Sequence, residues 1–174
     1  MINRILNGMC SFMGAYLQPK QEIRIKLLPE TEAWLLRVAP KHFASENSPT
    51  TFEAVKKQAE PYGIYHVFSG GSTDTIFSER KYQYAYRAWH DSIHLRQNLS
   101  FGVPNELKVA VIQEQIALVC SVDAHDAKLL RLDLEAHISY LVAKGEHPVH
   151  QLDLIRDCMD NGIEATVNST KLYH

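Results

Sequence analysis

Long apolar runs are missing from this sequence. Across its 174 residues, no stretch approaches the roughly 20 apolar residues that a membrane-spanning helix needs. Residues 2–17 are mildly apolar behind a single Arg4. Asn7, Gly8, Ser11 and Gly14 interrupt them and no convincing cleavage site follows, which argues against a signal peptide. Cysteine is scarce as well. Cys10, Cys120 and Cys158 are odd in number, widely separated and without a CxxC pair, so they make a poor disulfide framework or thiolate metal site. They read as reduced, mostly buried thiols of a soluble cytoplasmic protein. A surplus of one charge is also lacking. The formal net charge is −2, and the basic residues of any one helix are interleaved with acids, which does not favour binding to nucleic acid or to an anionic membrane. There is no phosphate-binding glycine loop, dinucleotide fingerprint, nucleophile elbow or Cys–His signature.

What remains is an ordinary globular composition, 45% hydrophobic and 22% charged, with one enrichment: nine histidines, most of them in the C-terminal two-thirds. Residues 78–97 contain no glycine or proline and are predicted to form a helix. His90 and His94 lie four apart on it, so they project from one face, with Asp91 beside them and Arg87 one turn before Asp91. Tyr82, Tyr86, Trp89 and Ile93 form the core-facing stripe. Two imidazoles at this separation can grip one metal ion if neighbouring helices add carboxylates. The alternative is a solvated polar face carrying an Arg87–Asp91 pair.

Two further helices can supply those carboxylates. Pro104 opens a helix running to about residue 119 that is apolar on most sides, so its polar residues are costly unless partnered. Glu106, Ala110, Gln113 and Ala117 share one of its faces, where the alanines let another helix come close; Glu114 is adjacent. Glu106 is either a metal ligand or simply an acid complementing the helix dipole. In a third helix, about residues 124–144, Asp133 and His137 stand four apart among leucines with Tyr140 a turn further on. They are either part of the same polar cluster or a structural pair. Glu135, on another face, is predicted to pair with Arg131. His90, His94, Glu106, Asp133 and His137 are thus the candidate ligands of a divalent ion inside a bundle, with zinc, manganese, iron or nickel all compatible with mixed nitrogen and oxygen donors.

The rest of the chain is shorter-ranged. Residues 2–17 have a helix-like spacing and can pack on the body or pair with another copy in a homo-oligomer. Residues 21–28 alternate as a strand does, and residues 29–38 are either a short helix or, from Trp34, a second strand. Residues 40–51 read as loop, then a helix capped by Thr50 or Thr51 runs to Ala59. A strand over 62–69 follows, with a hairpin partner over 73–77. A fourth C-terminal helix spans 151–161, and 163–174 has no clear assignment. The fold class expected is α+β and mostly α: a small N-terminal α/β portion, residues 1–77, leading into a bundle of about four helices, residues 78–174, as two units or one compact domain.

The order Arg87-x-Trp89-His90-Asp91-x-x-His94, then Phe101 and Glu106, then Asp133 and Tyr140, then Gly145-x-x-Pro148-x-x-Gln151, resembles a group of uncharacterised phage and prophage proteins, from about Ile76 onward. In that group a Glu usually stands where Asp133 does and a Gln where His137 does. The resemblance implies a phage origin, hence the cytoplasm of an infected bacterial host, and a shared polar cluster; it carries no activity with it. A more distant similarity is to HD-type metal phosphohydrolases. It would make His90-Asp91 the histidine–aspartate pair, His66 the upstream ligand, and Asp123 or Asp126 the downstream one.

Two functions are consistent with these residues. One is a metal-dependent hydrolase of a small phosphate ester such as a nucleotide. Asp91 or Glu114 would serve as base, and Arg87 or Lys108 would hold the anion. The other is a non-catalytic phage protein that binds a host or phage partner, its histidine–carboxylate cluster purely structural, through the aromatic segment 82–89 or the N-terminus.

Overall fold

The structure, a computed structural model, describes residues 23–173. The helix expected over 2–17, the first part of the strand expected over 21–28, and Cys10 lie outside the described residues. The elements in order are α1 (Pro29–Val38), β1 (His42–Ser45), α2 (Phe52–Ala59), β2 (Tyr65–Phe68), α3 (Arg80–Gln97), α4 (Val103–Val119), α5 (Ala124–Lys144), α6 (Gln151–Asn161) and α7 (Ile163–Val167). The fold is α+β and mostly α, with a C-terminal helical bundle, as the sequence predicts.

The helix ends follow from local chemistry. Pro29 occupies the first turn of α1, and the Thr51 hydroxyl caps α2 by accepting from the Ala54 amide at 3.3 Å. Asp123 caps α5 through the Asp126 amide, and Gly145 closes it in the left-handed conformation at φ +76°. Residues 34–38 are therefore helix, the first of the two alternatives above.

The strands differ from expectation. Residues 23–28 belong to no strand. Leu27 gives its amide to the Ile76 carbonyl at 3.1 Å, and Arg24 reaches Asp123 and Asp126, so the alternation is spent on contacts with the helical body. β1 lies inside the stretch read as loop. It pairs in parallel with β2, His42 opposite Tyr65 and Ser45 opposite Phe68, with α2 as the crossover that parallel strands require. Residues 73–77 do not fold back as a hairpin. Arg87 grips the Phe68 and Gly70 carbonyls and turns the chain toward α3.

The main core joins the early segments to the bundle. Trp34 and Leu35 of α1, with Ile76, pack against Tyr86, Trp89 and Ile93 of α3, Val109 of α4, and Leu129 and Leu130 of α5. Trp34 meets Trp89 edge to face at 5.0 Å. Each fully buried side chain of this size stabilises the fold by about 1.5–3 kcal/mol. Of the described cysteines, Cys158 is buried, as expected, and Cys120 is exposed. No helix among the described residues is long and apolar enough to cross a membrane.

Candidate metal centre

A five-residue link, residues 98–102, joins α3 to α4, so the last turn of one helix lies beside the first turn of the next. Asn98 ends α3 at φ +51°, and Gly102 precedes α4 at φ +157°. This connection brings His90 and His94 against Glu106. His90 Nε2 is 2.9 Å and His94 Nε2 3.4 Å from Glu106 Oε2, and the two Nε2 atoms are 3.0 Å apart. The His94 side chain is fully buried, and those of His90 and Glu106 are 13% and 15% exposed. Among the described residues these three form the one group whose nitrogen and oxygen ligand atoms all lie within 4.8 Å of one another.

The other ring nitrogens decide what this group wants. His94 Nδ1 faces the Leu99 carbonyl at 2.8 Å, an acceptor only, so Nδ1 carries the proton and Nε2 of the neutral ring is a bare lone pair. His90 Nδ1 faces Gln113 Oε1 at 3.1 Å, which sets the same tautomer. With both imidazoles neutral, two lone pairs and a carboxylate oxygen converge with no proton between them, an arrangement relieved either by a cation or by a second proton on His90 that bonds Glu106. Ligand atoms about 2.1 Å from one ion lie roughly 3.0 Å apart at a right angle and roughly 3.4 Å apart at a tetrahedral angle. The three separations span that interval. Two imidazoles and one carboxylate, each imidazole oriented by an oxygen behind it, are a donor set that can hold zinc, iron or manganese with positions left open.

Charge follows the geometry. Burial alone raises Glu106, but the hydrogen bonds from His90 and His94 bring its carboxyl down to about 2. Burial alone depresses His90, yet its hydrogen bond and attraction to Glu106 leave it raised. Both effects hold the pair ionised when no metal competes.

His90 also forms part of the wall of a cavity of about 440 Å³ between β2, α3, α5 and α6. Arg87, Asp91, Asp133, His137, Gln151 and His66 share that wall. Asp91 is partly buried beside His90, and burial pushes its carboxyl up to about 6 despite the neighbouring imidazoles. Burial pushes Asp133 further, to about 7, against the pull of Arg87. Burial and the nearby His147 and Arg87 bring His137 down to about 4. Arg87 donates to the Phe68 and Gly70 carbonyls, and its guanidinium packs so close to Gly71 that a Cβ there would lie 2.9 Å from Nη2. Gly71 also sits at φ +98°, which side chains disfavour.

The residues singled out from sequence therefore divide. His90, His94 and Glu106 meet. Asp133 and His137 stand outside that group, on the cavity wall, and do not pair with each other: His137 bonds Gln151 and His147 instead. Arg87 and Asp91 line the same cavity without forming an ion pair. Glu114 faces away, bonded to Arg131 at 2.9 Å, and Arg131 also holds Glu135 at 2.8 Å, the surface pair expected for it. Lys108 lines a separate groove. Asp123 and Asp126 hold Arg24 at the start of α5, whereas His66 reaches the cavity. The Leu99 carbonyl carried no sequence signal, because its role depends on backbone position alone. Gln113 was visible as the second polar member, with Glu106, of a face otherwise lined by Ala110 and Ala117, and Gln151 as the end of the Gly145-x-x-Pro148-x-x-Gln151 pattern.

No protein family, curated protein or solved structure matches the chain in the comparisons made.

Proposed function

We propose that this chain is a metal-dependent hydrolase acting on a phosphate ester, with a nucleotide as the substrate class, in the phage setting that its sequence pattern implies. The observation that carries the proposal is the convergence of His90 Nε2, His94 Nε2 and Glu106 Oε2, all within 4.8 Å of one another, beside a cavity large enough for a small molecule. His90, His94 and Glu106 would hold a divalent ion at that point, which would acidify a bound water and polarise a phosphoryl oxygen. Asp91 adjoins His90 on the cavity wall and takes the water's proton, a role its raised pKa suits near neutrality. Arg87, fixed by two carbonyls, offers its charge to the anion.

A second reading is favoured by the His90–Glu106 ion pair itself. It closes at 2.9 Å once His90 takes up a second proton, tying α3 to α4 without a metal, in a chain that works by binding a protein partner. Elemental analysis of the purified protein, with His90→Ala and Glu106→Ala beside it, separates the two. Near-stoichiometric metal in the wild type and its loss in both variants supports the centre; metal-free protein of full stability leaves only the structural pair. Nucleotides and phosphodiesters with added Mn²⁺, Zn²⁺ or Fe²⁺ then test hydrolysis.

A further inference from the structure

We propose that the outer edge of β1 pairs antiparallel with the same edge of a second copy of this chain, about a two-fold axis at Phe43, so that two small sheets become one. Among the described residues the sheet consists of β1 and β2 alone. The Lys41 and Ser45 carbonyls accept from the Tyr65 and Ser69 amides at 2.9 and 3.0 Å, so the odd-numbered residues of β1 turn their backbone groups toward β2. Backbone groups alternate sides along a strand. The amides and carbonyls of His42 and Ala44 therefore point away from β2, along an edge that no described strand covers.

That edge complements itself in one register. In an antiparallel ladder outward-facing residues must face each other, so even-numbered residues of one β1 meet even-numbered residues of the other. Centring the axis on His42 sets Ala44 against Pro40, which has no N–H to give. Centring it on Ala44 sets His42 against Glu46, in the turn beyond the strand. Centring it on Phe43 bonds each His42 to the Ala44 of the other copy and leaves no outward group of the strand unpaired.

Side chains favour the same register. Tyr65 and Val67 turn one face of the sheet into the core, with Val55, Ala59 and Ala88. Phe43, opposite His66 in the ladder, lies on the other face, 52% exposed and edge to face with the His66 ring at 6.0 Å. On the axis each Phe43 directly opposes its counterpart as a pair without hydrogen bonds, the closer of the two kinds, and the two rings shield each other. Charge agrees. Lys41 precedes the strand and Glu46 follows it, both exposed and without an ion pair among the described residues. Antiparallel pairing brings the basic end of each β1 to the acidic end of the other, twice by symmetry.

Analytical ultracentrifugation of the full chain, from micromolar to near-millimolar concentration, is the test, and a monomer–dimer equilibrium is expected. Ala44→Pro deletes an outward amide and leaves the bonds to β2 in place. It should fold, by circular dichroism, and dimerise roughly tenfold or more weakly. Phe43→Lys, at a half-exposed position, sets like charges on the axis and should be monomeric over the same range. Phe43→Cys, with Cys10 and Cys120 replaced by serine, should form a covalent dimer in oxidised glutathione, because directly opposed Cα atoms about 4.5 Å apart suit a disulfide. A chain that stays monomeric overturns the proposal. In that monomer, slow hydrogen exchange at the Ala44 amide would mean that a segment of the same chain covers the edge, and fast exchange that nothing does. A dimer that both Ala44→Pro and Phe43→Lys leave intact, or one that Phe43→Cys does not cross-link, overturns it too.

Discussion

His94 and Leu99 hold each other twice: Leu99 gives its amide to the His94 carbonyl at 2.9 Å, and His94 Nδ1 gives its proton to the Leu99 carbonyl at 2.8 Å. Asn98 makes this possible by turning left-handed between them, at φ +51° and ψ +42°. The turn that ends α3 thus sets the tautomer of a histidine within the helix. If the centre holds a metal, Asn98→Gly should preserve both bonds and the metal affinity. Asn98→Val, β-branched at positive φ, should cost about 1–2 kcal/mol and weaken metal binding several-fold. Denaturant unfolding and competitive metal titration read the two effects; a Val variant with unchanged metal affinity would detach the tautomer from the turn.

The Glu106–His90 pair predicts a pH window for the metal-free protein. Glu106 falls from its ordinary 4.5 to about 2, so its contribution is complete above pH 4.5 and is lost as pH drops toward 2. His90 is raised above 6.5, so its contribution is complete below that value and is lost as pH climbs through the higher one. Wild type should therefore exceed Glu106→Gln most between about pH 4.5 and 6.5, by roughly 1–3 kcal/mol. Urea midpoints of both proteins in chelator, from pH 3 to 9, check it. A difference that does not change over that range would mean the two groups are not coupled.

How far the sequence reached depended on the range of the interaction involved. The helices from Arg80 onward were legible because each carries its own periodicity and its own end signals, Pro104 and Gly145 among them. The His90, His94 and Glu106 grouping was legible for a related reason: a short link forces the end of α3 against the start of α4. β1 was not, since His42–Ser45 has no alternation and acquires strand geometry only from a partner more than 20 residues later. Asp133 and His137 share a helix face, as their spacing implied. Which neighbour that face meets is set by the α5–α6 packing, and it presents His137 to Gln151 rather than to His90.

Asp133 carries a stability cost that pH should reveal. Its carboxyl is raised from 3.8 to about 7, so the folded protein holds a proton that the unfolded chain has released over that interval. Stability therefore falls as pH rises from about 4 to 7 and levels off above. Asp133→Asn removes the charge, not the shape. It should match wild type near pH 4 and exceed it by roughly 2–4 kcal/mol at pH 8. Thermal unfolding of the two proteins at both pH values reads the difference, and an Asn variant no more stable at pH 8 would show that Asp133 is ionised at little cost.

Asp91 and Glu114 are both carboxylates near His90, His94 and Glu106 in sequence, and their surroundings separate their roles. Asp91 lines the cavity beside His90 and has no ion-pair partner among the described residues, so its lone pairs are available to a substrate water. Glu114 spends its charge on Arg131 at 2.9 Å, outside that wall. If the hydrolase reading holds, Asp91→Asn should retain the metal and lose 10²- to 10⁴-fold in kcat, the usual contribution of a positioned base. Glu114→Gln should keep both metal and rate, and lose no more than about 1 kcal/mol of stability, since the ion pair it breaks is partly exposed. Metal content, kcat and unfolding free energy measured on both variants decide the assignment: a rate that collapses in Glu114→Gln and survives in Asp91→Asn would move the base to the other carboxylate.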